Sequence, residues 1–224
     1  MQRRPIKSYV LRGGRVSPRQ QQALEYWLSD YTMPEPSIPW CLSTAFGRES
    51  PTVLEIGFGM GASLLMMAKK SPDVNFLGIE VHRAGIGSLT ADLHDGGLTN
   101  VRIGPYDAVE VFKTGLVDNA LAGVQIFFPD PWPKLRHHKR RLIQTEFVDL
   151  LLKKIKPGGF IHCATDWEDY AYHMQTVLSQ HSGVYNQNSE GGFSPRPDTR
   201  PITKFEQRGT RLGHGVWDLI YLRR

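Results

Sequence analysis

From Thr52 onward, short apolar runs alternate with longer segments whose apolar residues recur at helical spacing. Short, mostly apolar runs bounded by turn signals predict strands at TVLEIG, NFLGIEV, NVRIG, AGVQIFF, FIHCAT and GVWDLIYLR. Between them, MGASLLMMAKK, RAGIGSLTADLHD (despite two glycines), DAVEVF, Leu142 to Ile155 and DWEDYAYHMQTVLSQH predict helices. In Leu142 to Ile155, Phe147, Leu150, Leu151 and Ile155 fall on one face. Pro157-Gly158-Gly159 predicts a turn, and a Gly/Pro/Ser-rich loop spans about 188–201. Strands alternating with helices imply a parallel sheet covered on both faces. Such a sheet carries its functional loops at the carboxyl ends of the strands.

Before Thr52 the pattern differs. Residues 1–16 are basic and irregular. Ser17-Pro18 is a helix start, a capping hydroxyl followed by Pro at the first helical position. Leu24, Trp27, Leu28 and Tyr31 then form an apolar stripe. Residues 33–51 hold four prolines and read as a linker lying against the main fold. The expected organisation is therefore a basic arm, helix and Pro-rich linker over 1–51, and one α/β domain over 52–224.

Length and composition agree: 224 residues suffice for one α/β domain with a full core. The net charge is +5. Its distribution is more informative. Arg3, Arg4, Lys7, Arg12, Arg15 and Arg19 precede the first acid, Glu25, and a second cluster is KLRHHKRR, Lys134 to Arg141. One such cluster reads as solvated surface; two point to nucleic acid. The two cysteines, Cys41 and Cys163, have no paired spacing, so a reducing, cytoplasmic setting is expected. No secretory or membrane-spanning run is present. His137 and His138 lack metal-ligand spacing, and no metal site is expected.

The chemistry concentrates in three places. VLEIGFGMG, residues 53–61, runs from strand to helix with Gly57, Gly59 and Gly61, where a ligand can approach the backbone closely. Gly57, Gly59 and Ala62 also satisfy the dinucleotide pattern, so the glycines alone leave a nicotinamide enzyme open. Three acids at successive strand ends favour S-adenosylmethionine instead. Glu55 would repel a pyrophosphate at the helix N-terminus but attract a sulfonium and an ammonium. Glu80 is placed for ribose hydroxyls and Asp107 for an adenine amino group. Second, FFPDPWPK, residues 127–134, presents Asp130 between prolines beside the flat face of Trp132, a rigid seat for a planar base. Third, Arg136, Lys139, Arg140 and Arg141, interleaved with His137 and His138, are spaced to contact phosphates.

With KSYVLRGGR, LEIGFGMG, GIEVH, FPDPWPK, ATDWEDYAYHM and TKFEQRGTRLGHGVWDLI in place, nearly the whole chain resembles the bacterial tRNA (guanine-N7-)-methyltransferase family. Leu135, where a further Lys is usual, and Ala84, where Pro is common, depart from its pattern. The resemblance implies a Rossmann-like class I methyltransferase fold, a seven-stranded mostly parallel sheet with an antiparallel last strand and helices on both faces. It implies methyl transfer from S-adenosylmethionine to N7 of a guanine in the variable loop of tRNA. Glu55, Glu80, Asp107 and Asp130 would then contact the cofactor, with Asp130 also the active-site acid. Lys134, Asp166 and Thr203-Lys204-Phe205-Glu206 would hold the substrate, and Arg136 to Arg141 would bind RNA. No DNA and no obligatory protein partner are expected. Glu206 could accept from guanine N1–H and N2–H₂; its plain alternative is a helix-surface acid paired with Arg208 or Arg211.

Overall fold

A computed structural model describes residues 7–9, 14–203, 206–207, 213 and 215–224. Helix α1 (Pro18–Tyr26) begins at the Ser17-Pro18 signal. Ser17 and Gln20 cap it reciprocally: each side chain accepts from the other's backbone N–H, which satisfies two donors the helix leaves open. The apolar stripe runs on to Tyr31, but the helix breaks at Trp27, whose ring stacks on His94 with centroids 3.9 Å apart. Helix α2 (Leu28–Tyr31) follows the break. The proline-rich stretch lies on the main fold through buried Met33, Trp40 and Phe46. Its short helix α3 (Leu42–Phe46) carries too few apolar repeats to be read as periodic.

Seven strands form one sheet in the order β3-β2-β1-β4-β5-β7-β6. They are β1 (Thr52–Ile56), β2 (Asn75–Ile79), β3 (Val101–Gly104), β4 (Leu121–Phe127), β5 (Ile155–Thr165), β6 (Val184–Asn186) and β7 (Trp217–Arg223). The pairs from β3 to β5 are parallel, and β7 runs antiparallel to both β5 and β6. The seven-stranded sheet with an antiparallel last strand is thus the one expected. β6 was not foreseen; three residues are too short for a periodic signal. The Pro157-Gly158-Gly159 turn lies inside β5 as a bulge: Leu121 pairs with Ile155, but Gly123 pairs with Phe160.

Helices α4 (Ala62–Lys70) and α5 (Arg83–Gly96) cover one face. Helices α7 (Thr145–Lys154) and α8 (Glu168–Ser179) cover the other. Each face buries its own apolar cluster, Val53, Leu64, Phe76 and Leu89 on one side and Leu54, Val124, Leu151 and Met174 on the other. Strands buried on both faces explain why their sequences read as continuous apolar runs rather than alternating ones. The helix expected over DAVEVF is a single turn, α6 (Ala108–Glu110), continued by one π-helical turn to Gly115.

The chain winds outward from β1 to β3, then returns to place β4 on the other side of β1. That reversal opens a crevice at the carboxyl ends of β1 and β4, where ligands bind in open α/β sheets. Among the described residues, no helix is long and apolar enough to cross a membrane, and no three metal-ligating side chains converge.

Candidate active site

The glycine loop leaves β1 and turns into α4 with Gly57 at φ +73°, Gly59 at +56° and Gly61 at +83°. All three lie in the left-handed region, which costs an L side chain about 1–2 kcal/mol per residue. Glu80, at the end of β2, ties this loop down. Its Oε2 accepts from the Gly59 N–H at 2.9 Å, and its Oε1 accepts from the Val81 and His82 N–H groups at 2.7 and 3.0 Å. The two glycines early in α5 are explained by close approach. A Cβ at Gly85 would lie 2.1 Å from the Gly59 carbonyl oxygen, and one at Gly87 would lie 2.7 Å from the Gln20 carbonyl oxygen of α1.

A cavity of about 250 Å³ sits in the crevice, with Gly57, Glu80, Tyr106, Phe127 and Asp130 on its walls. Asp130 is exposed, and its carboxylate has no partner among the described residues. Its backbone is set between two non-glycine residues with positive φ, Phe128 at +52° and Trp132 at +47°. Such conformations persist only where the surroundings over-determine them. Here the Phe128 N–H donates to the Ala164 carbonyl at 2.8 Å, and Trp132 Nε1 donates to the Ser8 carbonyl at 3.0 Å. The Arg140 guanidinium lies over the Trp132 ring at 4.5 Å, and Arg141 Nε donates to the Pro131 carbonyl at 3.0 Å.

The other two acids stand differently. Glu55 is 2% exposed, its Oε2 has no hydrogen-bond partner, and it does not reach the cavity wall. Burial, and then the nearby charge of Glu80, push its carboxyl up to about 8. Asp107 caps α6 by accepting from the Val109 N–H at 2.9 Å, and its other oxygen lies 3.4 Å from Lys7 Nζ. Its neighbours Tyr106 and Ala108, rather than Asp107 itself, line the cavity.

The basic run forms a 3-10 turn, Leu135–Arg140, beside this loop. Lys134, Arg136 and Lys139 are exposed, while His137 and Arg140 rest on Trp132. Local desolvation, then the cations Arg136, Arg140, Lys134 and Lys139, lower the His137 pKa. His138 sits against Arg141 at 3.1 Å. Arg141 departs from the surface phosphate contact expected of it. It is 3% exposed, lies over Tyr170, and points its guanidinium inward to Pro131 and Asp169. Its work is to hold the Asp130 loop.

Asp166, half-buried, follows β5 at the same edge of the sheet. Thr203 Oγ1 accepts from the Glu206 N–H at 3.2 Å. Lys204 and Phe205 lie outside the described residues, as do Arg208 and Arg211. Glu206 is buried, and Arg200 grips both its oxygens at 2.6 and 3.0 Å. Arg200 also reaches Asp218, which takes a further hydrogen bond from His162 at 2.7 Å. Burial alone would raise the Asp218 pKa, but the His162 and Arg200 hydrogen bonds hold it below the usual carboxylate range. Sequence reasoning missed this group. The available signal was a titratable residue inside the apolar stretch of each of two adjacent strands, His162 and Asp218.

A glycine loop with all three glycines left-handed, a carboxylate closing it from β2, a cavity at the sheet's reversal point and an antiparallel β7 match the class I methyltransferase fold. The family described as "Putative methyltransferase" matches residues 49–219. The tRNA (guanine-N(7)-)-methyltransferase of Legionella pneumophila strain Corby is 63% identical over 224 residues, covering 99% of both chains. That of Shewanella baltica is 54% identical over 98% of this chain and 92% of its own. Among solved structures, the 16S rRNA methyltransferase KamB superposes with a TM-score of 0.57 at 14% identity, covering 95% of this chain and 98% of its own. A SAM-dependent methyltransferase from Aquifex aeolicus superposes at 0.53 and 14%, over 92% and 98%. These two share the fold. The chain belongs to the tRNA (guanine-N(7)-)-methyltransferase family.

Proposed function

We propose that this chain transfers a methyl group from S-adenosylmethionine to N7 of a guanine in the variable loop of tRNA. The observation that carries the reading is the cavity at the β1/β4 reversal, walled by the left-handed glycine loop and Glu80 on one side and Asp130 on the other. Its residues suit this cofactor. The loop brings backbone rather than side chain to the ligand, and the charged groups on its walls are carboxylates, which suits a cation and not a pyrophosphate. Glu55, buried with one oxygen lacking a hydrogen-bond partner, precedes the loop on β1 without lining the cavity. When bound, S-adenosylmethionine supplies an electrophilic methyl on a sulfonium.

Guanine N7 carries an in-plane lone pair and no proton, so the chain needs no general base. Asp130 positions the base edge and stabilises the cation that develops on it. Trp132, fixed by Ser8 and Arg140, offers the planar surface. Lys134, Arg136, Lys139 and Arg140 give the RNA backbone exposed or near-surface cations. Asp166 and the residues Thr203, Lys204, Phe205 and Glu206 are assigned to the substrate, with Glu206 accepting from guanine N1–H and N2–H₂. The test is methylation of an unmodified tRNA transcript, followed by chain cleavage at 7-methylguanosine. Cleavage in the variable loop is expected. Methyl incorporation elsewhere, or none, refutes the reading.

A further inference from the structure

A second cavity, of about 700 Å³, shares no lining residue with the one in the crevice. Its floor is the sheet face on the α4 side. Val53, Gly123, Phe160 and Leu222 lie in register across β1, β4, β5 and β7, and Gln125, His162 and Ile220 form the next row. Residues in register share a face, and all of these except Gly123 line the cavity. A Cβ at Gly123 would lie 2.3 Å from the Phe160 ring, so its absence lets that ring lie over β4. The end of α4 is one wall, and the segment from Pro197 to Pro201 is the other. Lys70 Nζ joins the two, donating to the Asp198 carbonyl at 3.5 Å.

Two polar side chains lie in this floor. His162 is accounted for by its hydrogen bond with Asp218 at 2.7 Å. Gln125 is not. It is 5% exposed, and neither end of its amide makes a hydrogen bond among the described residues. Glu55, beside it in register on β1, does not bond it. A primary amide carries two donors and an acceptor, and leaving them unmatched among apolar groups is costly. An apolar side chain would fill the same place without that cost.

The group that matches a primary amide in full is an N–H beside a C=O, the edge of a lactam. Its carbonyl accepts from the amide nitrogen while its N–H donates to the amide oxygen. The Gln125 amide turns about its last bond, so either end can face the cavity. The surroundings fit a flat apolar body. Phe76 and Phe160 offer ring surfaces, and Met66 and Met67 offer adaptable thioethers. The volume lies within the range of small-molecule sites, roughly 300–1,000 Å³.

We propose that this cavity is a second binding site, for a flat bicyclic heterocycle whose lactam edge pairs with the Gln125 amide. It is separate from the methyl-donor crevice, and it stands whether or not the tRNA reading does.

The probes are carbostyril, a benzo-fused lactam, and N-methylcarbostyril, which has the same ring but no N–H. Calorimetric titration of the full chain should show one saturable site for carbostyril. The N-methyl analogue should bind roughly ten-fold or more weakly, the cost of an unmatched buried acceptor. Excess S-adenosylmethionine should leave the carbostyril affinity unchanged. Gln125→Met keeps the length but not the amide, and should bring the two probes to within about three-fold of each other. Thr199→Trp, at an exposed position of the wall, should weaken both probes at least ten-fold, and it supplies an independent arm should Gln125→Met not fold. No saturable binding, equal affinities for the two probes in wild type, or displacement by S-adenosylmethionine overturns the proposal. So does a folded variant that keeps the wild-type affinities. Binding that is lost as the chain self-associates at raised concentration gives the cavity to a second copy, and overturns it as well.

Discussion

Replacing Glu55 by Gln should make the protein's stability less sensitive to pH. Glu55 is buried without a partner for Oε2, and its carboxyl is raised from an ordinary 4.5 to about 8 by burial and then by Glu80. Below the ordinary value both the folded and the unfolded chain carry the proton, and the group costs nothing. Between that value and about 8 the unfolded chain gives up the proton and the folded chain keeps it. Stability therefore falls as pH rises, by about 1.4 kcal/mol per pH unit, and the loss is complete above the folded-state value. Gln is nearly isosteric with the protonated acid and does not titrate. Denaturant unfolding of both proteins at about pH 5.5 and 7.5 spans two units inside this window. The variant should gain about 2.7 kcal/mol relative to wild type across it. A difference between the two proteins that stays constant with pH would refute a neutral Glu55 in the folded state.

Asp130→Asn should slow single-turnover methylation about 100-fold with cofactor binding intact, since the group positions rather than deprotonates. A kinetic pKa present in wild type and missing in the variant would show a base instead. Lys139→Ala with Arg140→Ala should lower the salt slope of tRNA binding by about two, one per lost phosphate contact, read by titration at several salt concentrations; an unchanged slope contradicts the contact. Arg141→Ala, by contrast, should leave the salt slope alone and cost about 1.5–3 kcal/mol in denaturant unfolding, because its charged hydrogen bonds are internal. Gly57→Ala should cost about 1–2 kcal/mol through its φ of +73° and weaken cofactor binding with it; an unchanged cofactor titration would separate the loop from the ligand.

The sheet was legible because its strands are buried on both faces, and runs broken by only one polar residue, such as VLEI and VQIFF, have few other uses. The glycine loop and Glu80 were legible because left-handed turns need glycine and the acid follows at strand spacing. What escaped notice depends on partners far away in sequence. Arg141 reads as one more cation in KLRHHKRR; only Asp169, Tyr170 and the bend of the Asp130 loop turn it inward. Arg200 reads as loop residue between Pro197 and Pro201, and its value lies in Glu206 and Asp218. Glu55 is legible as an acid on the loop's strand, but that it does not line the cavity is not. Trp27 continues the helical stripe while ending the helix, since periodicity records which side faces the core and not whether the backbone turns.

The two glycines of α5 make that helix a thin partition. On one side, position 85 lets it touch the Gly59 carbonyl of the glycine loop; on the other, position 87 lets it touch the Gln20 carbonyl of α1. No side chain stands between these surfaces to absorb a displacement. A shift of the loop by a fraction of an ångström must move α5 bodily, and α1 with it, together with Arg19, which α1 holds against Asp92 and Asp95. Arg19, the last cation of the first basic cluster, thus stands on the same rigid stack as the glycine loop.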